Sequence, residues 1–239
     1  MKWFGISAGA VILAAMLSGA SEGEEGQTGE SQARPNFIII LADDLGYGDV
    51  GCYGNERIKT PNLDFLAREG KKFTDFHSNG AVCSPTRAAL MTGRYQQRSG
   101  ISAVVTARHH RHTGMGFEET TIAEVLKEAG YATALFGKWH LGYKPDFGPR
   151  RQGFDVFHGF VSGNVDYHSH IDQAGYEDWW LDERLEPDEG YTTDLITEYG
   201  IEFIKENRDR SFLVYLAHEA PHYPIQGRDD PPERGPEGA

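Results

Sequence analysis

The chain has 239 residues, which is enough for one domain with a sizeable core. Hydrophobic residues make up 39% of it and aromatic residues 12%, a composition typical of a globular protein. The formal net charge of −13 argues against a nucleic-acid partner, because a phosphate backbone requires a basic face and the sequence shows no basic stripe.

The first 20 residues have the pattern of an export signal. Lys2 supplies a positive start, an apolar stretch covers residues 5–17, and 18–20 form a small-residue cleavage site. We therefore expect an exported protein, periplasmic or extracellular. The apolar stretch is short for a spanning helix, so an uncleaved anchor is the weaker alternative and we expect no stable membrane anchor. Residues 21–34 are polar, acidic and glycine-rich, and are predicted to be a disordered linker.

A continuous apolar run at residues 36–42 predicts a buried strand of a parallel sheet. Asp43 and Asp44 follow directly, at the strand end where α/β proteins place ligands. Carboxylate oxygens of this kind suit Ca²⁺ or Mg²⁺. A solvated turn is the alternative interpretation of these two residues.

Cys83 stands before a run that is compatible with a helix. Ser84 can serve as the N-cap and Pro85 fits the first turn, where its missing N–H costs nothing. Cys83 would then lie just outside a helix N-terminus, where negative charge is favoured. Arg87, about one turn further on, can reach the same point. The pattern indicates a site that holds or forms an anion.

Two simpler interpretations of Cys83 remain open on the residues alone. One is a buried structural cysteine, and the other is a disulfide with Cys52, the second of the two cysteines. A cysteine-phosphatase loop does not fit, because it requires arginine at the sixth position after the cysteine, where Ala89 stands.

The remaining elements continue an α/β pattern. Helices are predicted over residues 60–70, 121–129 and 191–207, the second opened by a capping box of Thr121 and Glu124. Further strands are predicted over 131–136 and 211–217. The cluster at 108–112 is interpreted as an exposed loop, since its spacing fits no closed metal site. This order of helices and strands favours a largely parallel sheet.

Lys138 and His140 follow the second predicted strand. They are two residues apart, so in an extended segment both would point to one side. A lysine and a histidine that converge there favour a tetrahedral anion, with a surface turn as the alternative. His222 follows the last strand, and His218 before it is interpreted as structural. His168 and His170 could contact a substrate or lie on the surface.

Four segments in this order resemble the type I sulfatases: the aspartate pair, Cys-x-Pro-x-Arg from Cys83 to Arg87, Gly-Lys-Trp-His-Leu-Gly at 137–142, and Ala-Pro-His-Tyr-Pro at 220–224. The resemblance covers residues 35 to about 226. It implies an alkaline-phosphatase-like α/β sandwich, with a mixed and mostly parallel sheet between helices. Residues 35–239 would be the N-terminal part of the catalytic domain. Thr86 is a departure, because serine or alanine is usual there.

The resemblance also implies the cofactors. In this family a maturation enzyme oxidises the motif cysteine, here Cys83, to formylglycine, whose hydrate is the nucleophile. Asp43, Asp44 and residue 83 would bind a divalent cation, Ca²⁺ or Mg²⁺. The substrate would be an aryl or carbohydrate sulfate ester.

Four further residues receive catalytic roles from the same resemblance. Lys138 and Arg87 would balance charge at the anion and the hydrate. His222 would protonate the leaving alcohol. His140 would help to deprotonate the second hydroxyl of the hydrate and expel the sulfate.

Members of the family are considerably longer than this sequence. They go on to supply an Asp-Asn or Asp-His pair for the cation, another lysine for the sulfate and a small C-terminal sheet, none of which is found here. We therefore expect a truncated chain with a weak cation site and an open sheet edge. The alternatives are a catalytically incompetent fragment and a phosphate or phosphonate ester hydrolase of the same superfamily.

Overall fold

The computed structural model describes residues 12–17 and 34–235. In these ranges it contains seven strands: β1 (Ile12–Leu17), β2 (Asn36–Leu41), β3 (Ala132–Lys138), β4 (Val156–Phe160), β5 (Trp180–Leu181), β6 (Arg184–Leu185) and β7 (Phe212–Ala217). The four α-helices of the same ranges are α1 (Pro61–Glu69), α2 (Cys83–Thr92), α3 (Ile122–Glu128) and α4 (Thr192–Glu206).

All seven strands form one sheet in the order β1-β2-β7-β3-β4-β5-β6. The four central strands, β2, β7, β3 and β4, run parallel, whereas β1, β5 and β6 pair antiparallel at the two sides. Tyr215 of β7 lies opposite both Ile39 of β2 and Leu135 of β3. The central strands are apolar along their length because both faces of the sheet are covered.

Each face of the sheet has its own apolar core. On one face, Ala88 and Met91 of α2 and Ala123 of α3 join the cluster that contains Leu135 and Leu213. On the other face, α4 packs against the alternate residues of the same strands, such as Phe136 and Val214. Full burial of a leucine such as Leu135 is worth about 1.5–3 kcal/mol. The predicted sandwich with a mixed, mostly parallel sheet is confirmed.

The predicted elements recur with bounds that differ by a few residues. β2, β3 and β7 match the three predicted strands, and α1, α3 and α4 match the predicted helices. The capping box of α3 is formed: Glu124 N donates to Thr121 Oγ1 at 3.1 Å, and Thr121 N donates to Glu124 Oε2 at 2.8 Å. β4, β5 and β6 are strands that the sequence analysis did not predict.

Of the predicted export signal, the structure describes only residues 12–17. These residues form β1, which pairs with β2 so that Ile12 lies opposite Leu41. Residues 21–33 of the predicted linker lie outside the described residues. Arg34 is described, and its guanidinium donates to the carbonyl of Ala129. In the two described ranges, no helix has the length and apolar character needed to cross a membrane.

Two other expectations can be compared with the structure. Residues 108–112 form a loop of exposed and half-buried residues, as predicted. Cys52 and Cys83 are both free, so the disulfide alternative for Cys83 is wrong.

Candidate active site

The predicted site residues gather at one edge of the sheet. Asp43 and Asp44 follow β2, Lys138 ends β3 and His222 follows β7. Because β2, β7 and β3 run parallel, their carboxyl ends meet at the same edge, where ligands bind in α/β proteins. Cys83 begins α2 at this edge.

Two adjoining cavities lie at this edge and share four lining residues, Asp44, Ala81, Val82 and Cys83. The inner cavity is also lined by Asp43 and Arg87. The outer cavity has a volume of about 250 Å³, and His140 and His222 contribute to its wall. The structure therefore brings the predicted residues together, with Lys138 contacting Asp43 behind the inner cavity.

The start of α2 differs from the prediction in one respect. Cys83 is the first helical residue and Val82 holds the N-cap position, so Ser84 is not the cap. Ser84 lies inside the helix, fully buried, and its hydroxyl oxygen accepts from Val105 N at 3.1 Å. That hydroxyl fixes the neighbouring loop instead of capping its own helix. Cys83 still lies in the first turn, where free N–H groups favour negative charge.

A buried cluster of charges supports the inner cavity. Lys138 Nζ donates to Asp43 Oδ2, and Arg87 Nη2 lies 3.5 Å from the same oxygen. Arg87 Nη1 also donates to the Lys138 carbonyl at 2.9 Å and to Tyr215 OH at 3.2 Å. Burial alone would raise the pKa of Asp43, but Lys138 and Arg87 outweigh it and lower the pKa to about 2. Two cations thus face one carboxylate, and an anion would complete the charge balance.

An unpaired buried atom points to the same conclusion. Arg87 Nε is buried without a hydrogen-bond acceptor in the described part of the chain, and Nη2 has only the 3.5 Å contact with Asp43 Oδ2. A buried polar group without a partner costs about 1–3 kcal/mol. Such groups persist where a ligand pairs with them, and an oxyanion suits a guanidinium.

His140 has a left-handed backbone, with φ 59°, so the extended geometry that was predicted from its spacing to Lys138 is wrong. Its Nε2 lies 3.0 Å from the Val105 carbonyl oxygen and therefore carries the proton that donates there. Nδ1 is then unprotonated, and it is buried without a partner among the described residues. Burial, with Lys138 and Arg87 nearby, holds the pKa of His140 well below its usual value. The imidazole is neutral at pH 7.

His222 lines the same outer cavity as His140. Its Nδ1 donates to the Tyr223 carbonyl at 2.7 Å, and the two rings stack with centroids 4.8 Å apart. Its Nε2 lies 3.6 Å from Asp44 Oδ2. Asp44 itself has φ 61°, a conformation that aspartate tolerates better than most side chains. The strained backbone directs Asp44 out of the line of β2.

Asp43 and Asp44 suit a divalent cation in kind, because hard cations prefer carboxylate oxygens. In the described ranges, however, no group of three or more His, Cys, Asp or Glu side chains is arranged to hold a metal ion. Lys138 and Arg87 both approach Oδ2 of Asp43, so a cation bound there would use its other oxygen. Two carboxylates supply only part of the six to eight oxygens that Ca²⁺ takes.

Three residues near the site were not identified from the sequence. Tyr215 binds Arg87 through its hydroxyl, and nothing distinguishes it from other apolar strand positions. Asn164 lines the outer cavity with a buried side chain. Glu219 is fully buried after β7, where burial raises its pKa well above the usual value, and it accepts from Val165 N at 2.8 Å. An acid directly after an apolar strand was the available signal for Glu219.

The other histidines have structural surroundings. His170 stacks on Trp179 with centroids 4.2 Å apart, and its Nε2 lies 3.1 Å from the Gly190 carbonyl oxygen. His168 Nε2 lies 3.0 Å from the Gly227 carbonyl oxygen. Burial lowers the pKa of His218 to about 4, so this ring is neutral at pH 7.

Comparisons with known proteins agree with this geometry. The Sulfatase family model matches residues 35–238. N-acetylgalactosamine-6-sulfatase of Canis lupus familiaris is 37% identical over 212 residues, which are 80% of this chain and 40% of that protein. Arylsulfatase G of Rattus norvegicus is 47% identical over 141 residues, which are 57% of this chain and 26% of that protein.

Among solved structures, Ps i-CgsB in complex with k-i-k-neocarrahexaose is 34% identical, with a TM-score of 0.73 over 80% of this chain and 46% of that one. This chain thus spans less than half the length of each of these three relatives. The family match covers nearly all of the described residues, and the chain belongs to the sulfatase family.

Proposed function

We propose that this chain carries the nucleophile and anion-binding half of a sulfatase that hydrolyses aryl or carbohydrate sulfate esters. The observation that carries the proposal is the meeting of Cys83, the aspartate pair and the Arg87–Lys138 cluster at one edge of the sheet. The sugar ligand of Ps i-CgsB supports a carbohydrate substrate. Because the relatives are more than twice as long, activity of residues 1–239 on their own is part of what must be tested.

Residue 83 would be matured from cysteine to formylglycine by a maturation enzyme. Formylglycine supplies an oxygen nucleophile, and a bound Ca²⁺ or Mg²⁺ supplies positive charge beside it. Asp43 and Asp44, together with residue 83, would hold that cation. The first turn of α2 favours negative charge at residue 83.

Arg87 and Lys138 would bind and orient the sulfate group. Arg87 has buried N–H groups to donate, and its position is fixed by Tyr215 and the Lys138 carbonyl. Lys138 balances Asp43, so the cluster keeps one positive charge in excess for the substrate. Burial excludes water, which strengthens these contacts relative to a surface site.

The two histidines would move protons on opposite sides of the sulfur. His222 Nδ1 already donates to the Tyr223 carbonyl, so Nε2 would donate to the ester oxygen from the doubly protonated ring as the S–O bond breaks, and the alcohol would leave neutral. His140 is neutral, and its free Nδ1 would take a proton from the nucleophilic side. Water completes the balance: one sulfate ester and one water give one alcohol and one hydrogen sulfate.

Co-expression with a formylglycine-generating enzyme would test this function. Mass spectrometry would first confirm the aldehyde at position 83, and turnover of a chromogenic aryl sulfate would then be measured with Ca²⁺. Turnover that is lost in Cys83→Ala would support the proposal. A folded chain with a confirmed aldehyde and no turnover would show that this part of the fold is insufficient.

Cation binding has its own readout. Ca²⁺ should raise the melting temperature of the chain, and Asp43→Asn with Asp44→Asn should abolish that rise. Asp75→Asn is a matched control, because Asp75 is an exposed aspartate whose carboxylate pairs with His77. Equal Ca²⁺ responses in all variants would exclude the aspartate pair as the cation site.

We further propose that the protein is exported, with residues 1–20 as a cleaved signal. N-terminal sequencing of the protein from the medium or periplasm should begin after Ala20. Recovery of the chain with residues 12–17 intact would contradict cleavage and would assign these residues permanently to β1.

A further inference from the structure

The imidazole of His140 lies between two backbone segments. On one side, its Nε2 donates to the Val105 carbonyl at 3.0 Å, and Val105 N in turn donates to the buried hydroxyl of Ser84 at 3.1 Å. On the other side lies Gly163, where a Cβ would come within 2.9 Å of His140 Cε1 and 3.0 Å of Nε2. The two segments together limit how the imidazole can turn.

Asp178 holds the segment that leads to Gly163. Its Oδ1 accepts from Val161 N at 3.1 Å, and its Oδ2 accepts from Ser162 N at 2.8 Å. Oδ1 also accepts from Trp180 Nε1 at 2.7 Å. One carboxylate thus fixes two consecutive N–H groups after the end of β4, directly before the glycine that packs on the imidazole.

The Asp178 carboxylate is itself buried and anchored. The residue is 3% exposed, and its own N–H donates to the His170 carbonyl at 3.1 Å. Burial raises its pKa to about 6, although the hydrogen bonds that it accepts act in the opposite direction, so the charged form predominates at pH 7. A buried carboxylate is costly unless it is hydrogen-bonded, and here the backbone beside the candidate site supplies two of the bonds.

Asp178 can influence the site only through this backbone. His140, Ser162 and Gly163 line the outer cavity, whereas Asp178 is not among its lining residues in the described part of the chain. The nitrogen of a histidine that carries the proton is set by the hydrogen bonds of the ring. If the segment moved away from the ring, Nε2 would be free to leave the Val105 carbonyl, and either nitrogen could then carry the proton.

We propose that Asp178 is a positioning residue that fixes the Nε2-protonated tautomer of His140 through the backbone of residues 161–163, and so keeps Nδ1 available as a base. The catalytic meaning of this inference rests on the proposed sulfatase function, because His140 acts as a base only there. The tautomer itself does not depend on that function. A side chain of purely structural value would stabilise the fold without selecting a tautomer.

Imidazole nitrogen NMR on the full, unmodified chain reads the tautomer directly. Long-range proton–nitrogen spectra would be recorded at pH 7, and the His140 signals would be assigned by their loss in His140→Gln. The parent chain should show Nε2 protonated and Nδ1 unprotonated. Asp178→Asn replaces one acceptor oxygen by an N–H donor of the same size, so the segment loses part of its anchor. We expect its His140 nitrogen signals to shift to values averaged between the two tautomers.

Two further variants keep the test interpretable. Gly163→Ala disturbs the imidazole by direct contact and should also shift the His140 signals, and the φ of Gly163 lies outside the left-handed region, so the substitution adds no backbone strain. Trp180→Phe removes the third donor to Asp178 and leaves both backbone bonds, so it should keep the parent tautomer. Thermal melts would show that each variant is folded, and Gly163→Ala decides the proposal if Asp178→Asn does not fold.

Turnover of the matured chain provides a second readout. On a chromogenic aryl sulfate, Asp178→Asn should lower kcat about a hundredfold, the effect of a displaced catalytic group, and leave KM unchanged. A lower melting temperature with an unchanged His140 tautomer would assign Asp178 to stability alone and refute the proposal. An altered tautomer in Asp178→Asn, in a matched parent chain without turnover, would support the positioning role while the proposed sulfatase function fails.

Discussion

Replacing Lys138 by methionine should destabilise the fold by a large and specific amount. The substitution removes the charge from a fully buried ammonium group while keeping a side chain of similar length. Asp43 would then keep its negative charge in the protein interior with Arg87 Nη2, 3.5 Å from Oδ2, as its nearest compensation. A buried charge that loses one partner is costly because water cannot replace that partner.

The magnitude follows from the carboxylate. The pKa of Asp43 falls from 3.8 to about 2 on folding, although burial acts in the opposite direction. That difference corresponds to about 2–3 kcal/mol of stability at pH 7. Lys138 is the largest favourable contributor, and loss of one member of a buried pair costs about 3–5 kcal/mol. Since Arg87 remains, we expect a loss of about 3 kcal/mol.

Urea unfolding followed by tryptophan fluorescence would measure this loss, with EDTA present so that no cation replaces the lysine charge. The control is Lys127→Met, which breaks a 2.8 Å ion pair with Asp155 in which the lysine side chain is 47% exposed. An exposed pair of this kind should contribute less than about 1 kcal/mol. If Lys138→Met costs no more than Lys127→Met, our account of the buried cluster is refuted.

The sign of the pH dependence provides a second readout in the same assay. Because folding lowers the pKa of Asp43, its stabilisation is present above pH 3.8 and is lost as the pH falls toward 2. The parent chain should lose stability through this window. Lys138→Met should lose less, since its carboxylate is less stabilised in the folded state.

Three other changes have expected outcomes. Gly137→Ala should lower the free energy of unfolding, measured in urea, by several kcal/mol, because the new Cβ would lie 2.3 Å from the Ala217 carbonyl oxygen. Gly54→Ala is the control: Gly54 has a similar φ but open space around it, so this substitution should cost only about 1–2 kcal/mol. Folding lowers the pKa of His218 to about 4, so the free energy of unfolding should fall by about 3 kcal/mol between pH 6.5 and 4. If His218→Gln loses as much stability over this pH range as the parent chain, His218 is not the cause. Asp166 Oδ2 accepts from the backbone N–H groups of Glu233 and Arg234, and an amide nitrogen in its place could not. Trypsin should therefore cleave Asp166→Asn at Arg228 faster than the parent chain. Equal cleavage rates would show that Asp166 does not hold the segment around Arg228 in place.

Much of the site could be predicted because parallel strands place their carboxyl ends together. Asp43, Lys138 and His222 each follow an apolar run, and a short apolar run bounded by polar residues is a strong sign of a buried strand. Once three such strands are placed in one sheet, their following residues must converge. The types of these residues and the order of the motifs then indicated what kind of site they form.

The remaining features depend on contacts between distant parts of the chain. Ser84 is a suitable N-cap by local rules, yet its hydroxyl binds Val105 N, 21 residues away, and the helix begins two residues earlier than that cap predicts. Tyr215 binds Arg87 across 128 residues, and no local pattern marks that pair. Asn164 lies in the wall of the outer cavity, a position that no local pattern predicts. Local periodicity describes neighbours along the chain, and these contacts are not between neighbours.

The burial of the segment after Cys83 sets an order of events for biosynthesis. Ser84, Pro85, Thr86 and Arg87 are all buried in the folded chain, and Arg87 is 1% exposed. If residue 83 is matured as proposed, the maturation enzyme would have to reach those side chains before α2 docks on the sheet. Folding and oxidation would then compete for the same nascent segment. A substitution that accelerates docking of α2 would give a more quickly folded protein in which a smaller fraction of molecules carries the aldehyde.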